Sequence, residues 1–330
     1  MYIIYKTICL LIMKTSILVG GQAVIEGVMM RVPGAYATAV RLKNGKIISK
    51  RNNFQSIIEK YHLKNYYIIR GMFHLYESMR IGYQTLDWSA NIYEEETQNK
   101  SKTQSSMNKF IEYAMSFISI FFAIFLFILL PLFLATFIIQ ENINSPFYFN
   151  IISGIIRIII FLTYLLLISQ LKDVKKLFQY HGAEHKTVYN FESGKRLHYD
   201  EAKKFSRKHP RCGTSFIFII MLVTIFSYAV FDSIALFFIN NLTIVLRFIM
   251  HIALLPLVAG IGYEVLKFLA TKQQIKIFKF LSKPGLWLQE ITTKPPQENH
   301  IEVAIYALKA AFGKNLTKYS GKEYTADSIG

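Results

Sequence analysis

The sequence predicts an α-helical polytopic membrane protein, with four transmembrane helices and a small α+β cytoplasmic domain, and three observations carry that prediction. Four apolar runs, at 114–139, 147–171, 216–239 and 242–270, each exceed the roughly 20 helical residues needed to cross about 30 Å of hydrocarbon. The chain is 52% hydrophobic, with 27 Phe and 20 Tyr in 330 residues, too apolar for an average soluble protein. The formal charge is +17, from 38 Lys and Arg against 21 Asp and Glu, and it is sorted by side. The connections at 139–146 and 240–241 hold no basic residue, whereas eleven basic side chains face five acids between Lys172 and Arg211. Because Lys and Arg are retained on the cytoplasmic side, four crossings with both termini inside a cell (inner or plasma) membrane satisfy the rule. The charge excess is then explained without nucleic acid, and the lipid bilayer becomes the expected partner.

The first run carries no charge, and its one breaker, Pro131, is tolerated in a membrane helix as a kink. Cys9 and Cys212 lie too far apart for a disulfide framework and fit a reducing compartment. The opening MYIIYKTICLLIM has an apolar patch but no small-residue cleavage site after it. Met13 is a candidate start, which would place residues 1–12 outside the native protein.

Residues 14–53 read as β structure. AYATAVRLK, then Asn44-Gly45, then KIISKR is a hairpin pattern with a two-residue turn. Residues 54–90 change to helical spacing through Ile57, Ile58, Tyr61, Leu75, Met79 and Gly82. Residues 91–109 are polar and read as a linker. After the fourth run, LSKPGLWLQEITTKPPQ reads as a turn-rich return segment, and HIEVAIYALKAAF as a short amphipathic helix. The chain thus divides into an N-terminal cytoplasmic α+β segment with its linker (14–110), a transmembrane hairpin (111–171), a basic cytoplasmic loop (172–214), a second transmembrane hairpin (215–270) and a C-terminal cytoplasmic segment (271–330).

Chemistry concentrates in HGAEHKTVY at 181–189. On a helix at about 100° per residue, His181, Glu184 and His185 share an arc of roughly 100°. One metal ion can touch both imidazoles, with Glu184 beside it as a general base for a metal-activated water. Chance supplies on the order of 0.2 such pairs in a chain of this histidine content, so two solvated histidines on a surface helix remain the competing reading. HPRCGTS at 209–215 stands where the third run begins. Pro210 sets a turn that can aim His209 and Cys212 at one point, although Cys212 can equally be a small buried hydrophobe. A helical hairpin brings both motifs to the same membrane face.

GGQAVIEGVMMR (20–31), HGAEHKTVYNFESG (181–194), HPRCGTSF (209–216), GYEVLKF (262–268) and KPGLWLQEITTKPP (283–296) together resemble the YqhQ family, membrane proteins of undefined function described as predicted metal-dependent enzymes. The likeness runs from about Met13 to Phe312. It implies a multi-span protein and supports His181, His185, His209 and Cys212 as ligands of a divalent ion, zinc above others. It names no substrate.

Other marked positions carry competing readings. Glu26 is a ligand or base drawn to the site, or an outward strand residue. Gly20, Gly21 and Gly27 suit tight strand turns better than phosphate cradling, since no P-loop pattern is present. His74 and Glu77 form a second polar site or a surface pair. Glu264, near the cytoplasmic end of the fourth run with Lys267, is the membrane-embedded acid best placed to join the metal. Asp232 and Arg247 sit about 12 and 9 Å from the 240–241 turn and pair across the second hairpin. His251 and Arg157 remain, His251 as part of a proton or ion route.

Two function classes follow. A zinc-type ion with Glu184 as base makes a metal-dependent hydrolase acting on a small molecule or at the lipid surface. The alternatives are an ion or metal transporter or channel, or a non-catalytic membrane protein with a structural metal. Oligomeric state, including a homo-oligomer, is left open.

Overall fold

A computed structural model of the chain describes residues 19–97, 106–139, 145–209, 212–271 and 283–320. The candidate start at Met13 lies outside them. The β region is a four-stranded antiparallel meander, β1 (Gly20–Val24), β2 (Gly27–Val32), β3 (Ala35–Arg41) and β4 (Ile47–Asn53). Period-2 alternation gives it two apolar faces. Val28, Met30, Val32, Ala35, Ala37 and Ala39 point to one core, and Val24, Met29, Tyr36 and Val40 to another.

Helices cover both faces. α1 (Ile57–Lys60) and the long α2 (Tyr67–Thr97) follow the sheet, and Ile81, Trp88 and Ile92 of α2 close the second core. The first core is closed by helices from far along the chain, α6 (Lys172–Glu192) and α11 (Glu298–Phe312), through Tyr180, Ala183, Ile301, Ala304 and Leu308. Burial on both faces explains why β2 and β3 are almost wholly apolar.

The apolar runs form α3 (Ser106–Ile124), a π turn (Phe125–Leu129), α4 (Leu130–Ile139), α5 (Pro146–Ile168), α8 (Gly213–Leu236) and α9 (Ile244–Thr271). Four helical stretches within them, 114–139, 146–168, 217–236 and 244–269, are long and apolar enough to cross a membrane. α7 (Tyr199–Ala202) lies in the basic loop, and α10 (Lys283–Thr292) and α12 (Leu316–Tyr319) flank α11.

Pro131 has a visible consequence. It has no N–H for the carbonyl four residues back, Phe127, and the helix widens into the π turn just before it. The freed Phe127 carbonyl accepts from Arg157 Nε at 3.0 Å. Arg157 is therefore the partner of a broken helix turn.

Asp232 is fully buried and accepts from Arg247 Nη1 (2.7 Å), Asn150 Nδ2 (2.8 Å) and His251 Nε2 (3.0 Å). The expected Asp232–Arg247 pair is present, and His251 belongs to the same network rather than standing alone.

Three local expectations are corrected. The β3–β4 connection is a three-residue loop at 43–45: the Leu42 N–H reaches the Lys46 carbonyl and Gly45 takes φ 85°. A turn ending in a left-handed residue is the next commonest hairpin after the two-residue form. The polar stretch after residue 90 is helical to Thr97, and helix resumes at Ser106; residues 98–105 lie outside the described set. KPGLWLQEIT is helix α10 rather than a chain of turns, with Pro284 tolerated at its first turn.

Candidate metal centre

Three elements meet where the C-terminal end of α5 and the N-terminal end of α8 come together. α6 is separated from the end of α5 by three residues and presents His181, Glu184 and His185 on one face. Cys212 is the N-cap of α8, where its Sγ accepts the Thr214 N–H and touches Thr214 Oγ1 at 3.2 Å. That places the sulfur at the positive end of the helix dipole. α10 and the strand-like residues behind it close the third side.

Backbone carbonyls decide the tautomers. His181 Nδ1 lies 2.8 Å from the Thr292 carbonyl and His185 Nδ1 contacts that of Arg207. A carbonyl only accepts, so each Nδ1 carries the proton and each Nε2 presents a lone pair. Metal-ligating histidines are held in this way. The liberated Nε2 of His181 is 3.2 Å from Cys212 Sγ. Ligand atoms of His181, His185 and Cys212 all fall within 4.8 Å of one another. Metal bonds of 2.0–2.3 Å in a tetrahedron separate ligands by about 3.5 Å, so small side-chain adjustments suffice. His185 is buried and the other two are half-buried, leaving the centre partly open.

Glu184 is also buried, its Oε2 3.5 Å from His185 Nε2, outside the triad but beside it. His209 is not among the three converging ligands. Its ring packs beside those of His185 (centroids 5.5 Å) and Tyr189 (4.5 Å), and Gln289 brackets its backbone: Oε1 accepts the His209 N–H at 2.7 Å and Nε2 donates to the His209 carbonyl at 2.8 Å. His209 thus fixes the segment that delivers Cys212: its ring packs on His185 and Tyr189, while the Cys212 thiol reaches His181, about one turn earlier on the same helix.

Charged side chains hold the same loop. Arg207 donates to the Thr293 carbonyl and pairs with Glu290, which also takes Lys208; those cations hold the Glu290 carboxyl below its ordinary range. Lys186 caps the carbonyls of Lys203 and Phe205, and burial, with Arg207 nearby, lowers its pKa.

The remaining candidates are placed elsewhere. Glu26, at φ 55° in the β1–β2 turn, pairs with Lys176 at 2.6 Å and receives the Tyr180 hydroxyl. Glu264 is gripped by Arg70 through two bonds of 2.7 and 2.6 Å. Glu77 accepts from Ser56 Oγ and the Ile57 N–H, capping α1. His74 is buried against Tyr263 (centroids 5.0 Å), where burial, then Arg31 and Lys267, push its pKa down to about 4 and leave it neutral at pH 7. His74 and Glu77 therefore serve different neighbours and form no joint site.

Sequence reading missed Thr292, Arg207 and Gln289, which act through backbone carbonyls or on backbone groups and carry no motif of their own. Gly182 was a usable signal. A Cβ there would meet the Lys294 carbonyl at 2.4 Å, so a glycine between the two histidines lets the 292–296 chain come close enough to bind His181.

No solved structure matches the chain. It is similar to "Uncharacterized protein YqhQ" of Bacillus subtilis (strain 168), 34% identical over 302 residues that cover 87% of this chain and 89% of the relative. Residues 67–314, which contain the whole triad, match the family described as "Protein of unknown function (DUF1385)". With most of its length inside that match, the chain belongs to the DUF1385 family, together with its YqhQ relative.

Proposed function

We propose that the chain is a multi-pass protein of the cell membrane carrying a divalent-metal centre, best suited to zinc, at its cytoplasmic face, and that the centre is hydrolytic. Membrane insertion is supported by the four long apolar helices, of which only 11–28% is buried by the rest of the protein. Side chains such as Phe117, Phe137, Ile159 and Phe226 stand out from them, an apolar surface far beyond what a soluble monomer carries. The basic loop 172–211 then faces the cytoplasm.

The observation that carries the metal reading is that two carbonyls occupy both Nδ1 atoms and leave both Nε2 lone pairs free, with His181 Nε2 3.2 Å from Cys212 Sγ and ligand atoms of His181, His185 and Cys212 within 4.8 Å of one another. Three N and S ligands with a partly open side match a catalytic zinc site better than a closed four-ligand one. Such an ion would supply Lewis acidity and an activated water. Glu184, buried beside His185, would accept the proton, and the substrate would approach from the half-exposed His181 and Cys212 side. Asp232 and Glu264, the acids a cation route through the helices would draw on, are both held by arginines, which favours the enzyme over a carrier.

The test uses Glu184→Gln. It is expected to retain wild-type zinc by elemental analysis while hydrolysis of an activated ester falls by 10²-fold or more, the usual scale of a lost general base. Zinc loss in this variant would make Glu184 a ligand. For topology, with Cys9 and Cys212 replaced by serine, a cysteine at exposed Asn240 is expected to react with an impermeant reagent applied to whole cells, and one at Lys195 only after lysis. The opposite pattern would invert the protein in the membrane.

A further inference from the structure

The segment joining the sheet to α2 doubles back on itself. Ser56 and the Ile57 N–H bind Glu77, which ties the start of α1 to the third turn of α2. Residues 57–66 then run away from that tie and reverse at His62, which takes φ 54°. The chain enters α2 at Tyr67.

How deep this hairpin reaches is set by α9. Gly71 and Gly260 let the two backbones nearly touch: a Cβ on Gly71 would meet the Gly260 carbonyl at 2.9 Å, and one on Gly260 the Ile68 carbonyl at 2.6 Å. Farther along, Arg70 grips Glu264 and His74 stacks on Tyr263. Contacts shift from Ile68–Gly260 to His74–Tyr263, so α2 and α9 run in the same direction and the N-terminal end of α2 lies toward the apolar middle of α9. Gly260 lies four residues, or about 6 Å at 1.5 Å per residue, to the apolar side of Glu264, the one acid of the fourth apolar stretch. The headgroup layer on each side of a bilayer is about 5–7 Å thick. With Glu264 and its partner Arg70 at headgroup level, the tip of the hairpin reaches the boundary between headgroups and hydrocarbon.

Its surface suits that depth. Ile69, Phe73 and Tyr76 recur at i, i+4 and i+7 on the side of α2 away from α9 and are exposed, as are Tyr61, Tyr66 and Tyr67 around the tip, each about three-fifths exposed. Lys60 and Lys64 flank them. Tyrosines with snorkelling lysines are the composition of a membrane interface.

Resting on the reading of the four helices as membrane spans, we propose that residues 57–76 form a hairpin dipped into the cytoplasmic leaflet. Its tyrosines sit at headgroup level, Lys60 and Lys64 lie against lipid phosphates, and the partner of this apolar face is the bilayer itself. The hairpin would then hold the sheet, and through it α6 and the metal centre, at a set height above the lipid.

Tyr67→Trp and Ile159→Trp, the second on the outward face of α5, are to be reconstituted separately into phosphatidylcholine–phosphatidylglycerol vesicles carrying nitroxide lipids labelled near the headgroup or deep in the chain. Added fluorescence over the parent is expected to be quenched at least twofold more by the shallow label for Tyr67→Trp, and by the deep label for Ile159→Trp. Quenching at Ile159→Trp with none at Tyr67→Trp or at a Tyr76→Trp companion would overturn the hairpin alone and leave its face to a protein partner or a second copy. Absence of quenching at every position would overturn the membrane reading as well.

Discussion

Alanine at both His181 and His185 is expected to take the purified protein from about one equivalent of zinc to background. The two imidazoles supply two of the three converging ligands, and a lone thiolate cannot hold the ion against a chelator. Loss of even an orienting partner costs ten- to a hundredfold in metal affinity, and loss of a ligand costs more. His209→Ala supplies the contrast. Because its ring lies outside the triad, that variant is expected to keep at least half of the zinc, weakened only through the loop that Gln289 clamps. Equal loss in His209→Ala would restore a four-ligand site, and a metal-free wild type with intact secondary structure would end the proposal. Elemental analysis after dialysis against a weak chelator measures all of these.

Asp232→Ala is expected to be the most destabilising single change in the apolar helices. The carboxylate is fully buried and receives Arg247, Asn150 and His251. Its removal strands a guanidinium, an amide and an imidazole without an acceptor. Breaking one side of a buried ion pair costs about 3–5 kcal/mol, roughly a 10 °C fall in unfolding midpoint for a domain of this size. Replacing both charges, as in Asp232→Leu with Arg247→Leu, is expected to recover much of that loss, since paired apolar residues avoid the desolvation penalty. Thermal unfolding in detergent tests this. A silent Asp232→Ala would mean that water reaches the network, and would reopen an ion route at His251.

Elements whose pattern is local were legible in advance. The uncharged apolar run at 114–139 announced the first long helix despite Pro131, and the alternation through AYATAVRLK announced the sheet. HxxEH spacing placed His181, Glu184 and His185 on one helical arc, and the arc is present. What failed depended on where a group points or what binds it. His209 and Cys212 were grouped because they are three apart, yet the turn sends thiol and imidazole to different neighbours. Glu26 and Glu264 were candidates because an acid among apolar residues is conspicuous, and Glu77 because it shares a helix face with His74. The residues that occupy them, Lys176, Arg70 and Ser56, lie 21 to 194 positions away or act through a backbone edge.

The four long apolar helices were determined by sequence alone, because the length of an apolar run and its helical period are properties of contiguous residues. Tertiary structure decided which side chains remain available for chemistry. The carbonyls of Thr292 and Arg207 select the tautomers, and Gln289 steers the Cys212 loop. The C-terminal α11 closes the sheet whose other neighbour, α6, bears His181 and His185. These are contacts between distant segments made largely by backbone atoms, which every residue possesses and no motif can advertise.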